Sequence, residues 1–459
     1  MAGSDPAAAR ARPVLAGLGE RAQRAAPLVG TAHEIRQRHD DDRVTVGRRD
    51  HRRFRDRHRP TPTPPEPTTA PVPANRSRRS SLCHHGTEFS TSAGRARRPG
   101  RRDQAGTHTS RPGRLRPGRC PGRHHPWPHR HYSCLMLAAA AVSINPDSPL
   151  AGLEVGEQPE PAVPEGWTTV SVRAAALNHH DLFSLRGVGL PADRLPMILG
   201  CDAAGVSEDG TEVVVHAVIG DPARGGGDET LDPRRTLLSE LHPGTLAERI
   251  AVPRANLVPK PASLSWEEAA CLPTAWLTAY RMVVSRSGLP ADGGGTMLVQ
   301  GAGGGVATAA LLIGKAVGHT VFVTSRDEAK RQRARDLGAD LAVGSGERLP
   351  TRVDAVIETV GAATWSHSVR SLRPGGRIIC SGATSGPNPP AELNRIFFLQ
   401  LSVIGTTMGT RAELAALVDL LDRTGTRPLV DDVRPLADAR TSFERLAGGE
   451  VFGKLVLTV

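Results

Sequence analysis

Cysteine is scarce in this chain and never paired by spacing. The six present (Cys83, Cys120, Cys134, Cys201, Cys271 and Cys380) include no C-x-x-C. That excludes a disulfide framework and a cysteine-built structural zinc site, and it points to a cytoplasmic compartment. Apolar runs of membrane length are missing too. Residues 135–142 form an apolar stretch, but it falls far short of the ~20 residues a membrane span needs. No charged segment leads into a run of signal length near Met1. Lysine is absent from residues 1–135, which carry 28 Arg, 11 Asp or Glu and 11 of the 17 His. There are no internal repeats.

What is there divides in two. Residues 1–135 are crowded with Arg, Pro, His, Ser and Gly, and they hold too few aliphatic side chains to offset the entropy of ordering. They read as a disordered extension. Arginine without lysine in such company is what GC-rich DNA upstream of a gene, or out of frame with it, encodes. Met136 is then the natural start. A basic tail that neutralises nucleic-acid phosphates is the functional alternative. Residues 136–459 hold 30 basic and 36 acidic side chains, an ordinary, mildly acidic balance.

Within 136–459 the texture changes near residue 264. Before it, short alternating strands at 167–176, 212–217 and 247–252 lie among frequent Gly and Pro, which predicts a small β domain. Residues 221–242 read as a polar surface loop. After it, S-x-x-E at Ser265 to Glu268 is a capping box that opens a helix. Apolar strands at 297–300, 320–324, 353–358, 377–381 and 401–405 then alternate with helices at 307–317, 327–337 and 364–372. That rhythm predicts a parallel sheet covered on both faces. A helix at 412–421 and a final strand at 453–457 follow.

The richest signal is V-Q-G-A-G-G-G-V-A at 299–307. Strand, glycine turn and helix come in the order a dinucleotide pyrophosphate requires, whether of nicotinamide or flavin. The turn reads as G-x-x-G-x-x-A. Gly301 makes the bend, Gly304 admits the backbone close to the phosphates and Ala307 lets the helix pack near the strand. Gly303, Gly305 and Val306 complete the cradle. The next strand ends at Thr324-Ser325-Arg326, where NAD-preferring sites carry an acid for the ribose 2′-OH. Ser325, Arg326 and Lys330 instead suit a 2′-phosphate, so NADPH is the expected cofactor. Asp327 and Glu328 are assigned to the following helix N-terminus.

Several ordered motifs make 136–459 resemble the medium-chain dehydrogenase/reductase superfamily, in its zinc-free quinone oxidoreductase-like branch. They are A-L-N-H-H-D at 176–181, L-G-C-D-A-A-G at 199–205, L-P-T-A-W-L-T-A-Y at 272–280, the glycine turn, E-T-V-G at 358–361 and Gly453-Lys454. The resemblance implies an α/β fold: a GroES-like β domain (136–268), a Rossmann doubly wound parallel sheet (269–410) and a C-terminal return to the first domain (411–459). It places the active site in the cleft between them. Zinc-dependent members carry Cys, His-Glu and Cys where Asn178, Cys201-Asp202 and Thr274 stand here, so no metal is expected. The resemblance puts Asn178 and Asp181 at the nicotinamide end, Thr274 against the ring, and His180 in the wall or in catalysis. It puts His179 and Lys454 near the cofactor, beside Thr359, Val360, Ser381 and Gly382 at the strand ends. Asp181 has a second reading as a helix cap, Cys201 as a packing residue, and Tyr280 as a proton donor or core residue. The activity implied is hydride transfer from NADPH to a small-molecule quinone, enone or related conjugated carbonyl. The alternatives are a zinc alcohol dehydrogenase and a non-catalytic NADPH-binding protein with a nucleic-acid-binding tail. Strand 401–405 stands where members of the family pair as homodimers.

Overall fold

A computed structural model describes residues 135–459. The expectations for residues 1–134, both the disordered extension and the basic tail, lie outside the described residues.

Strand Trp167–Ala176 is the axis of the first sheet. It pairs antiparallel with Asp202–Ser207, Arg249–Pro253 and Lys454–Thr458. The last pairing sets Val456 opposite Ala176, so the end of the chain closes the domain that its early strands began. Strand Leu135–Ala141 forms a second sheet with Leu153–Pro159 and Met197–Ile198. The alternation legible in the sequence here is a real burial pattern, with Thr168, Val170, Val172 and Ala174 all buried.

The second sheet system is parallel throughout. Its six strands lie in the order Leu341–Val343, Thr320–Thr324, Thr296–Val299, Val353–Glu358, Leu372–Cys380 and Ser402–Gly405. This is the doubly wound order, in which the direction of winding reverses beside the first strand and opens a crevice at the strand ends. Met297, Leu298, Val299, Val356 and Ile357 are fully buried, as strands covered on both faces require. The fold is therefore GroES-like β plus Rossmann α/β. No helix of the described residues is long and apolar enough to cross a membrane.

Two local features depart from the expectation. The predicted helix does start at Ser265, with a complete capping box to Glu268. It then widens into π turns over Leu272–Trp276 and Arg281–Arg286. Pro273 has no N–H to give, so the first turn after it reorganises around a longer hydrogen bond from Leu277 N to Leu272 O. The stretch 221–242, expected as a surface loop, is folded in at several points. Asp232, wholly buried, accepts from the Asp221 N–H at 2.8 Å and from Arg224. Asp228 accepts from the Thr230 N–H and meets the buried Arg281, whose other arm holds Glu413 at 3.0 Å. Carboxylates that satisfy loop N–H groups let polar sequence go inside.

Arg281 thus joins the loop, the π-turned helix and the capping box of the Arg411–Thr424 helix. Replacing it with leucine strands two carboxylates that have only partial access to water. Arg281→Leu is expected to lower stability by about 2 kcal/mol, less than for a fully buried pair, read as a drop in the urea midpoint. Arg281→Lys should recover part of it.

Candidate active site

The glycine turn keeps part of the expected spacing, for Gly304 has an ordinary φ of −69°. Gly301 (φ 78°) and Gly303 (φ 104°) occupy left-handed backbone that other residues resist. A side chain on Gly305 would come within 3.0 Å of the Lys454 stem and 3.3 Å of Ala275, so the space there is tight. Helix Gly305–Val317 follows, with Ala307 buried against the sheet. The N–H of Thr308 is the first to find Gly304 O (2.9 Å), which leaves the N–H groups of Gly305, Val306 and Ala307 at the open helix end. The turn is held from both sides: Ala302 N donates to Thr324 O at 2.8 Å and Gly453 N to Gly303 O at 2.9 Å.

At the tip of the second strand, Ser325 is buried and its hydroxyl accepts from the Asp327 N–H. Asp327 itself caps the Glu328–Asp336 helix by accepting from Lys330 N, and Glu328 pairs with Arg331 and Arg335. Both acids are thereby turned to the helix, as the sequence suggested. Arg326 is exposed and has no carboxylate partner among the described residues. Lys330 departs from its expected place at the phosphate. Its ammonium donates to Gly449 O at 2.9 Å and its stem lies against Gly303, so it braces the turn.

The loops after the fourth and fifth Rossmann strands are tied to each other. Glu358, fully buried, accepts from the N–H groups of Val360 (2.8 Å) and Gly361 (3.0 Å) and from the hydroxyls of Thr364 and Ser368. Ser381 N donates to Glu358 O, and the Ser381 hydroxyl faces Met282 Sδ at 3.1 Å. A side chain at Gly382 would strike Thr359 O. Beneath them Gln300 connects Thr324, Ser368 and His367. Glu358 was legible only as part of a motif, and Gln300 gave no signal beyond its place before the turn.

The third cluster is the chemical corner. Lys454, 3% exposed, places its three ammonium hydrogens on Leu177 O (2.7 Å), Asn178 Oδ1 (2.7 Å) and Asp202 Oδ2 (3.0 Å). The Asn178 amide donates to the same Asp202 oxygen at 2.9 Å. Asp202 Oδ1 and Thr274 Oγ1 are buried without a partner. Asp202, absent from the sequence-derived site, therefore lies at its centre. Asp181 takes the other role the sequence allowed. Its oxygens accept from Asn178 N (2.8 Å) and Gly200 N (3.1 Å), so it caps the helix His179–Leu185 and braces the loop carrying Cys201. Both of its oxygens are thereby engaged by backbone N–H groups. His179 is exposed at the start of that helix.

His180 lies between Glu240 Oε1 (2.9 Å from Nε2) and Cys201 Sγ (3.6 Å from Nδ1). Burial opposes a charge on this imidazole, but Cys201, Glu240 and Asp181 outweigh it and raise its pKa above the usual value. Burial pushes the Cys201 thiol up, against the pull of His180, and its hydrogen goes to Leu238 O. The donor set does not fit a catalytic zinc ion, which needs three strong ligands and an open place. Asn178 offers an amide, Thr274 a hydroxyl, Cys201 a protonated thiol, and Asp202 is held by an ammonium. Among the described residues no group of three His, Cys, Asp or Glu side chains is arranged to hold a metal.

Comparison with known proteins supports the two-domain fold. Residues 164–262 match the alcohol dehydrogenase GroES-like domain, and residues 305–423 match the zinc-binding dehydrogenase domain. The zinc-type alcohol dehydrogenase-like protein YogA of Leptosphaeria maculans is 31% identical over 341 residues, covering 67% of this chain and 94% of that protein. An acryloyl-coenzyme A reductase of Metallosphaera sedula is 30% identical over 325 residues, covering 67% and 96%. A crystal structure of an NAD-dependent alcohol dehydrogenase superposes with a TM-score of 0.65 at 34% identity, covering 71% of this chain and all of that one.

Burial raises the Asp181 pKa from 3.8 to about 6, with the charge on His180 and the Asn178 N–H opposing the shift. Between those values the folded protein holds a proton that the unfolded chain has lost, so ionising Asp181 costs stability as pH rises through the window. Asp181→Asn sets an NH2 against one of two amide donors and is expected to destabilise at low pH. The advantage of wild type over the variant should then shrink from pH 4 toward about 6 and stay level above it. Denaturant midpoints at a series of pH values check this.

Proposed function

This chain belongs to the medium-chain dehydrogenase/reductase superfamily, with alcohol dehydrogenase-like domains, and from that membership we propose an NADPH-dependent, zinc-free reductase of quinones, enones or related conjugated carbonyls. That the protein is an NAD(P)H-dependent oxidoreductase follows from its relatives. The finer reading is ours. It is carried by the corner where Lys454, Asn178 and Asp202 satisfy one another in place of metal ligands. An acryloyl-coenzyme A reductase among the relatives makes a conjugated double bond a natural acceptor.

The residues divide the work. The open N–H groups of Gly305, Val306 and Ala307 would hold the pyrophosphate, and the Ser325 hydroxyl with the Arg326 guanidinium the 2′-phosphate. Bound there, the dinucleotide supplies hydride from its nicotinamide ring. Thr274 and Asp202 each keep a buried polar oxygen for a ligand to satisfy. Lys454 and Asn178 set a fixed positive and dipolar field beside the ring, and Asp181 keeps their loop in register. His180, with Glu240 behind it, is the proton-bearing group of the wall.

A zinc alcohol dehydrogenase is the second reading, favoured by the name of one relative, a zinc-type alcohol dehydrogenase-like protein. Metal separates the two. In the first reading, purified protein oxidises NADPH with quinones or enones, a chelator leaves the rate unchanged, and no stoichiometric zinc is found by elemental analysis. Chelator-sensitive turnover of alcohols would decide for the second. Ser325→Asp with Arg326→Ala is expected to raise the NADPH KM about tenfold or more while favouring NADH; an unchanged preference would remove the 2′-phosphate assignment.

We also place a homodimer contact at the sheet edge. Among the described residues, strand Ser402–Gly405 is unpaired on one side, and Val403, Phe397 and Phe398 are exposed. Val403→Lys should shift the sedimentation mass to that of a monomer.

A further inference from the structure

We propose that the Rossmann domain carries a second anion site, remote from the dinucleotide crevice, that takes a diphosphate-bearing ligand. A cavity of about 370 Å³ opens where strand Val353–Glu358 begins, lined by Arg348, Arg352, Arg370 and Arg395 with Thr351 on its rim. The dinucleotide crevice lies at the other end of the same six-residue strand, about 20 Å away.

Charge and pre-organisation point to the ligand. None of the residues lining the cavity is acidic. Arg352 is fixed by donating to Leu372 O at 3.0 Å and to Arg370 O, where it offsets the negative end of helix Trp365–Ser371. Arg395 is steadied by Glu392 at 3.4 Å. Arg348 and Arg370 have no carboxylate partner and make no side-chain hydrogen bond among the described residues, so their guanidinium forks remain open to the cavity mouth. Two unpartnered guanidinium groups, with two further arginines held on the wall of the same cavity, suit an anion with several acceptor oxygens, which the planar fork binds two at a time. A single carboxylate would leave most of those donors unmet. Free pyrophosphate and the diphosphate of a nucleotide or coenzyme share this chemistry.

The back wall gives the cavity a rigid seat. His367, 6% exposed, is fixed by the Glu347 carbonyl (2.8 Å from Nε2) and by Gln300 (3.0 Å from Nδ1). Burial lowers its pKa despite the pull of that carbonyl, so this histidine adds no positive charge to the wall.

The test uses the full chain with saturating NADPH, so that the crevice is filled. Pyrophosphate, ADP, coenzyme A and, as a control, sulfate are titrated by calorimetry and thermal shift. Saturable binding of pyrophosphate is expected, weakened about tenfold or more in Arg348→Gln/Arg370→Gln. Turnover of NADPH and the unliganded melting temperature should be unchanged, because both arginines are exposed and unbonded. Tighter binding of ADP or coenzyme A than of pyrophosphate would identify the diphosphate as part of a larger molecule; equal binding would identify the free anion. Absence of saturation, equal binding of sulfate, or binding that survives in the double variant would overturn the site.

Discussion

A buried ammonium group organises the centre of this protein. Lys454 has almost no contact with water, so its charge must be met by the protein itself or the strand carrying it will not pack. It is met by a carbonyl, an amide oxygen and a carboxylate drawn from two separate strand ends. Those three acceptors fix Asn178 and Asp202 in orientation, and Asp181 fixes the backbone beneath them. The stem of the same lysine lies over Gly305, at the start of the phosphate-facing helix. One side chain therefore ties the chemistry of the β domain to the binding end of the Rossmann domain.

That arrangement sets the terms on which a metal could enter the corner. A divalent ion would have to displace an ammonium already satisfied three times over, then gather ligands from an amide, a hydroxyl and a protonated thiol. In the function proposed above, fixed hydrogen-bonding groups do the orienting instead.

Much of this was legible in the residues. The strand and helix rhythm after residue 264 and the glycine spacing are backbone requirements, and backbone requirements leave marks in sequence: Gly301 and Gly303 stand where few others fit. The assignment of Asp327 and Glu328 to the next helix rests on capping chemistry and matches the structure. What leaves no such mark is pairing across long separations. Nothing local connects Lys454 with Asp202, 252 positions earlier, or Glu240 with His180. Lys330 resembles a phosphate ligand only while its charge is read without its partner, Gly449 O. The stretch 221–242 reads as solvated when its acids are counted as surface rather than as acceptors for buried N–H groups.

The strand Lys454–Thr458 has a consequence for how the molecule is made. It pairs with Trp167–Ala176, donates from Gly453 to the glycine turn and supplies the central ammonium. Everything it touches leaves the ribosome earlier. Its contacts with both sheet systems therefore become available only after each of those partners has been made.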